Sequence, residues 1–136
     1  MAYTTIDDPS QYFQILTYTG NQTDNRALTN TGNSDLQPDL LWIKRRGGAE
    51  DADMQDSVRG IGKRLRPARD DGEITDDTAI DSFDSDGFTV DNADQVNGND
   101  TYIAWQWKMN AGSNTNVSAS SGVLAVTHQV NTTAGQ

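Results

Sequence analysis

The chain has 136 residues, no cysteine and a formal net charge of −10. One domain of this length can bury about two-thirds of its unfolded surface without a metal or disulfide, and the lack of cysteine excludes thiol chemistry. The negative charge argues against a nucleic-acid partner, because that binding needs Lys and Arg to neutralise phosphates. We expect no membrane insertion, since no apolar run approaches about eighteen residues, and no export leader at residues 1–8.

Short alternating segments separated by turn residues predict an all-β fold. Hydrophobic residues make up only 34% of the chain, and Gly, Asn, Ser, Thr and Asp recur at the spacing typical of turns between short strands. No window of a dozen residues keeps a helical apolar stripe. We therefore expect an antiparallel β-sandwich of lectin-like or jelly-roll type at residues 12–109. An N-terminal arm or short helical turn should precede it at residues 1–11, and a polar linker with a C-terminal strand should follow at residues 110–136.

The first predicted element is a single helical turn that begins at Asp8. An acidic N-cap followed by proline at the first helical position favours such a turn. It would bring Tyr12 and Phe13 to the edge of the core.

The next clear element is a strand between Pro38 and Arg46. Its alternation places Leu41 and Ile43 on one face, while the other face also carries apolar residues. A strand that is apolar on both faces is typical of an inner strand covered on both sides.

Basic residues cluster after this strand. Eight of the ten Lys and Arg residues lie at positions 44–69, while positions 70–100 hold eleven of the twenty acids. One interpretation is an electrostatic contact with an acidic partner or another copy of the chain. The other is that the two segments form adjacent loops that neutralise each other, with little net energy per exposed pair. The residues proposed for the contact are Lys44, Arg45, Arg46, Lys63, Arg64, Arg66 and Arg69.

The acidic segment contains a weak calcium candidate made of Asp84, Asp86 and Asp91. Carboxylate oxygens are the ligands that calcium prefers. An EF-hand alignment fails, because placing Gly87 at the sixth loop position puts serine at the first and alanine at the twelfth. The alternative is a simple turn between Phe83 and Phe88, in which Gly87 adopts positive φ.

The strongest predicted strand covers residues 101–109. Period-two alternation sets Trp105 and Trp107 on one face and Tyr102, Ala104 and Gln106 on the other. A tryptophan stripe can form a platform for a sugar, but we expect these indoles to lie in the core, because aromatic residues fill the inner layer of sandwiches.

No residue pattern predicts catalysis or a cofactor. His128 is the only histidine and lies in a predicted strand at residues 122–130, without neighbours at metal-ligand or triad spacing. Twenty acids guarantee some carboxylate pair, so a glycosidase-like pair carries no weight. We expect a protein that is not an enzyme and has no cofactor.

Five motifs in fixed order resemble a module of tailed bacteriophages, especially those of marine and cyanobacterial hosts. They are YTGN at 18–21, QPDLLWIK at 37–44, DSVRG at 56–60, SFDSDGF at 82–88 and YIAWQWK at 102–108. Gln106 stands where many relatives carry cysteine. Residues 117–135 resemble the lead-in to a following module.

The resemblance implies a virion structural protein with a lectin-like or jelly-roll β-sandwich. We expect a tail fibre or related appendage component that contacts the host surface, with other virion proteins and a host glycan as partners and with homo-oligomeric assembly. The alternative is a capsid decoration or cement protein without host contact. A polysaccharide-degrading enzyme is the third hypothesis. The expected location is the virion, at a tail appendage or the capsid surface.

Overall fold

The structure, a computed structural model, describes residues 6–109 and two further strands at residues 115–117 and 126–128. Antiparallel β-sheet dominates it, which confirms the predicted all-β class. A short 3-10 helix at Pro9–Gln11 and the helical turn α1 at Asp94–Asn97 complete the described elements. The strands are β1 (Phe13–Thr19), β2 (Arg26–Thr29), β3 (Leu40–Arg45), β4 (Asp53–Asp56), β5 (Lys63–Arg64), β6 (Ile74–Thr75), β7 (Ile80–Asp84), β8 (Gly87–Val90), β9 (Thr101–Trp107), β10 (Thr115–Val117) and β11 (Val126–His128).

The larger sheet has four antiparallel strands in the order β1-β9-β3-β4. Its register places Ile15, Trp105, Trp42 and Met54 in one row across the sheet. The predicted inner strand is confirmed in position, because β3 lies between β9 and β4. Only one of its faces is fully covered, since Trp42 on the opposite face is half-buried.

The second sheet has three antiparallel strands in the order β2-β8-β7. The tight connection between β7 and β8 has Gly87 at φ 115°, which confirms the predicted turn and its glycine conformation. The short pair β5–β6 follows β4, and a bridge between Met54 and Leu65 connects the two regions. Strands β10 and β11 pair only with each other among the described strands.

One hydrophobic cluster contains residues from both of these sheets. Tyr18 of β1 stacks on Tyr102 of β9 at 5.2 Å between ring centres and meets Phe88 of β8 edge-on at 6.3 Å. The Tyr18 hydroxyl donates to the carbonyl oxygen of Val96 at 2.6 Å, and burial raises the pKa of this tyrosine well above its ordinary value. The buried members are Leu28, Leu41, Ile43, Ala79, Ile80, Phe88, Val90, Val96, Tyr102 and Ala104.

The prediction that the β9 tryptophans fill the core is wrong. Tyr102, Ala104 and Gln106 are fully buried, whereas Trp105 and Trp107 are half-buried on the opposite face. The physical reason is that alternation separates the two faces of a strand without indicating which face another layer covers. The core residues from β2, β7 and β8 lie on the Tyr102 side.

Gln106 is the polar residue in the buried row of β9. Its amide nitrogen donates to Oδ1 of Asn30 at 2.6 Å, and Asn30 in turn donates to the carbonyl oxygen of Leu36 at 3.0 Å. These bonds satisfy polar atoms that would otherwise be costly to bury.

The predicted N-terminal helical turn is confirmed for its described part. Asp8 caps the 3-10 helix and accepts from the backbone nitrogen of Ser10 at 2.9 Å, with Pro9 at the first position. Asp8 also accepts from the Ser34 hydroxyl at 2.7 Å, which fastens the turn to a distant loop.

Several expectations fall partly outside the described residues. These are the start of the arm at residues 1–5, most of the polar linker that begins at residue 110, and most of the lead-in at residues 117–135. Strand β11 lies within the predicted strand at 122–130 and ends at His128, while β10 begins inside the stretch expected to be linker.

Candidate functional site

Two of the five motifs, QPDLLWIK and DSVRG, contact each other and stabilise the fold. Asp39, in the QPDLLWIK motif, is fully buried and accepts from the hydroxyl of Ser57, in the DSVRG motif, at 3.0 Å. It also accepts from the backbone nitrogen of Met109 at 2.8 Å. Within DSVRG itself, Arg59 contacts Asp56 at 2.6 Å. These polar residues therefore stabilise the fold.

The SFDSDGF motif also has a structural role. Asp84 accepts from the hydroxyls of Ser82 at 2.6 Å and Thr89 at 2.8 Å, while Asp86 accepts from the backbone nitrogen of Leu36 at 3.2 Å. These hydrogen bonds stabilise the β7–β8 hairpin and attach it to the loop between β2 and β3.

The structure does not bring the three calcium candidates together. Asp84 ends β7 and Asp86 lies in the turn before β8, whereas Asp91 follows the end of β8 and accepts from the backbone nitrogen of Asn25 at 3.0 Å. Asp91 lines a polar cavity of about 350 Å³. Within the described residues, no group of three His, Cys, Asp or Glu is arranged to hold a metal ion. The cavity is lined by Asp24, Asn25, Asp77, Thr78, Asp91 and Asn92.

The basic segment is largely neutralised within the chain. Arg45 contacts Asp100 at 2.8 Å, and Arg69 contacts Asp51 at 2.6 Å. Arg66 pairs with Asp51 and Asp71. The two lysines donate to uncharged oxygens: Lys44 to the carbonyl of Glu50 in the following loop, and Lys63 to the hydroxyl of Thr75 on the paired strand β6. Of the predicted contact residues, Arg46 is exposed and has no ion pair within the described residues.

Arg64 belongs to a buried ion cluster between β4 and β5. Its Nε lies 2.7 Å from Oδ2 of Asp53, at an angle outside hydrogen-bond geometry, and its Nη1 lies 3.2 Å from Asp76. Burial raises the pKa of the Asp53 carboxyl to about 6, although the Gln55 amide and the Arg64 guanidinium act in the opposite direction. Arg64 is thus a core element with little capacity to contact a partner.

The outer face of the four-stranded sheet, opposite the core cluster, carries an apolar surface that we call the aromatic patch. Phe13 pairs with Trp107 in the β1–β9 register, and Leu40 pairs with Trp107 from the other side. In the next row Ile15 pairs with Trp105, and its side chain is 51% exposed. The Phe13 and Trp107 rings are 5.1 Å apart. The aromatic patch consists of Phe13, Ile15, Leu40, Trp105 and Trp107.

A cavity of about 420 Å³, the Trp42 cavity, adjoins this patch on the β3–β4 side of the sheet. Trp42 forms part of its wall, and its indole ring also contacts that of Trp105 at 5.5 Å. The turn after Leu65 contributes Pro67 and Ala68 to the lining. The lining residues are Trp42, Lys44, Ala49, Glu50, Asp51, Ala52, Pro67 and Ala68.

The Trp42 cavity combines an apolar wall with a charged rim. The Glu50 side chain is 47% exposed, and the nearest guanidinium, that of Arg45, is 3.9 Å away. Its carboxylate therefore retains free capacity to accept hydrogen bonds. Asp51 is instead held by Arg66 and Arg69. This arrangement suits a ligand with an apolar face and polar edges, in line with small-molecule sites in general.

Sequence patterns missed this cavity because its walls come from segments far apart in the chain. Trp42 lies on β3, whereas Pro67 and Ala68 lie in a later turn. Neither segment carries a motif that signals the other, so the cavity arises only from the tertiary contact between them.

A family model for a domain of unknown function matches residues 8–136. The chain belongs to the DUF7483 family. Comparison with curated proteins and with solved structures finds no significant match. In the described part of this DUF7483 chain, no helix has the length and apolar character to cross a bilayer.

Proposed function

We propose that this DUF7483 chain is a structural module of a bacteriophage particle, built into a tail fibre or related appendage. The five motifs in fixed order support this assignment, because they resemble a module of tailed bacteriophages. We further propose that the two larger sheets pack as a lectin-like or jelly-roll β-sandwich, which the shared hydrophobic cluster supports. Oligomeric assembly follows from the symmetry of such appendages.

The observation that carries a host-contact role is the Trp42 cavity. A sugar ring presents apolar C–H groups on its face and hydroxyls at its edge, so it can pack on the Trp42 indole while its hydroxyls donate to Glu50. The volume of about 420 Å³ is in the range of ordinary ligand sites. A saccharide of the host surface is therefore the proposed ligand.

The capsid decoration alternative has less support. It relied on the basic segment meeting an acidic capsid surface, but Arg45, Arg64, Arg66 and Arg69 already pair with carboxylates of this chain. A polysaccharide-degrading enzyme is also less favoured, because Asp51, one of two acids at the cavity rim, is held by two arginines.

Immunogold electron microscopy of intact particles tests the particle location. An antibody against this chain should label tail fibres or the tail tip. Label spread over the head would favour the decoration alternative, and absence of the protein from purified particles would refute a virion role.

Glycan binding tests the site separately. Purified protein is applied to an array of host surface polysaccharides, and the affinity for any bound saccharide is then measured by calorimetry. Trp42→Leu should weaken binding at least about tenfold, which corresponds to ~1.4 kcal/mol. Trp107→Leu is the matched control, because Trp107 lies on the same sheet face but does not line the cavity. Equal binding by wild type and Trp42→Leu would show that the saccharide binds elsewhere.

A further inference from the structure

The aromatic patch is a contiguous set of apolar side chains, in which Ile15 is exposed and the other four members are half-buried. Its five side chains occupy two adjacent rows on strands β1, β9 and β3, and Ile15 is more than half exposed. Large apolar patches on soluble proteins generally mark a contact surface. The Trp42 cavity gives the β3–β4 side of this face a proposed ligand, but none of its lining residues lies on β1 or β9. The apolar side chains of β1 and β9 therefore need a different occupant.

The chain leaves the sheet beside this patch. Strand β9 ends at Trp107, the backbone nitrogen of Lys108 donates to the carbonyl oxygen of Tyr12 at 2.9 Å, and that of Met109 donates to Asp39 at 2.8 Å. These bonds fix the start of the C-terminal segment next to Phe13 and Leu40, which are members of the patch.

The C-terminal segment contains a hairpin that needs a supporting surface. Strands β10 and β11 pair antiparallel, with Thr115 opposite His128 and Val117 opposite Val126. A hairpin with only three residue pairs is marginally stable in water without an apolar surface to pack on. The sequence of the segment supplies apolar residues at Val117, Val123, Leu124 and Val126.

The extent of the family model connects this segment with the rest of the domain. The match extends from residue 8 to residue 136, well beyond the end of β9. The hairpin and the sheet are therefore parts of one family domain.

We propose that segment 115–128 of the same chain docks on the aromatic patch and covers Trp105 and Trp107. The connection over residues 108–114 can span up to about 23 Å when extended. The patch is smaller, since two rows and three strands extend roughly 7 Å along the strands and 10 Å across them. The segment can therefore reach every member of the patch.

A second copy of the chain is the competing occupant. A short connection gives the tethered segment an effective concentration of about millimolar, so it outcompetes another molecule at lower protein concentrations.

Paramagnetic relaxation tests the proposal on the full chain. Because the protein has no cysteine, Thr127→Cys provides one attachment point for a nitroxide spin label on β11. The three tryptophans give three indole N–H signals in a ¹⁵N spectrum. Docking should broaden the signals of Trp105 and Trp107 in the oxidised form, with recovery after the nitroxide is reduced.

A matched label at the far end of the sheet is the control. Thr23 is exposed, and its carbonyl oxygen accepts from the side chain of Asn97, beyond the end of β9 opposite to Trp107. A nitroxide at Thr23→Cys should leave the Trp107 signal unchanged. Unchanged far-ultraviolet circular dichroism verifies that both variants fold.

A mixed sample distinguishes the two occupants. Spin-labelled protein without ¹⁵N is combined with ¹⁵N-labelled protein without a nitroxide, so that any broadening arises between molecules. Sharp Trp105 and Trp107 signals in this mixture, together with broadening in the singly labelled chain, support intramolecular docking. Broadening in the mixture would assign the patch to a second copy and overturn the proposal. Sharp signals in both samples would also overturn it.

Discussion

Replacing Asp53 with asparagine tests the energetic role of the buried ion cluster between β4 and β5. The Asp53 carboxyl is 1% exposed and lies against Arg64, and burial is the main reason that its pKa rises to about 6 from the ordinary 3.8. The folded protein therefore binds a proton at this site more readily than the unfolded chain does. Asp53 consequently contributes stability at low pH that is lost as the pH rises towards and through about 6.

The size of this effect follows from the difference in pKa. About two pKa units correspond to ~3 kcal/mol in the free energy of unfolding, of which ~2 kcal/mol falls between pH 7 and pH 4. The experiment stays above pH 4 because other carboxylates act in the opposite direction below it. The Ser10 and Ser34 hydroxyls lower the pKa of Asp8, and Arg45 lowers the pKa of Asp100. The stability that these two ionised carboxylates contribute is therefore lost as the pH falls below their ordinary pKa of 3.8.

Urea unfolding of wild type and Asp53→Asn at a series of pH values between 4 and 7 provides the measurement. The free-energy difference between the two proteins should change by ~2 kcal/mol across this range, with the wild type gaining relative stability towards pH 4. Asp81→Asn, which removes an exposed carboxylate, should show the same pH dependence of the free energy of unfolding as the wild type. Parallel curves for wild type and Asp53→Asn would refute the reasoning, because burial would then not raise the pKa of Asp53.

Gly87→Ala should lower the free energy of unfolding by more than ~2 kcal/mol in urea titrations, because its φ is 115° and a new Cβ would collide with a β2 carbonyl oxygen. Gly72→Ala, whose Cβ would meet nothing within 4 Å, should change it by less than ~0.5 kcal/mol, and equal losses would contradict the steric argument. Asn97→Ala should cost ~3 kcal/mol, because this fully buried side chain accepts from the backbone nitrogen of Asn21 and also bonds two other groups. Amide exchange at Asn21 should accelerate, and unchanged exchange there would argue against that bond. Phe88→Ala should cost about 3–5 kcal/mol and reduce the near-ultraviolet circular dichroism, whereas a loss below ~1 kcal/mol would contradict its place in the core.

The two surfaces on the outer sheet face have different chemistry and different proposed occupants. The Trp42 cavity joins an apolar wall to the half-exposed carboxylate of Glu50, 3.9 Å from Arg45, which suits a polar ligand with one apolar face. The aromatic patch is apolar throughout and adjoins the exit of the chain from β9. A variant at Trp42 should therefore affect glycan binding without releasing the C-terminal segment.

Features that depend on local geometry follow from residues that are close together in the chain. The cap at Asp8 with Pro9 produced the helical turn, and Gly87 produced the turn between β7 and β8, because each residue favours its own backbone conformation. Alternation likewise located β3 and β9 and the all-β class. These properties require only neighbours in the chain.

Contacts between segments distant in the chain set which face of β9 is buried and which charges pair. Trp105 and Tyr102 follow the same period-two pattern, and the position of the second sheet makes Tyr102 the core residue. The composition of the basic segment is equally compatible with contact to a partner and with pairing inside the chain. In the folded protein Arg64 lies against Asp53, so this residue pairs inside the chain. The Trp42 cavity arises in the same way, because burial, ion pairing and concave surfaces depend on contacts between segments that are distant in sequence.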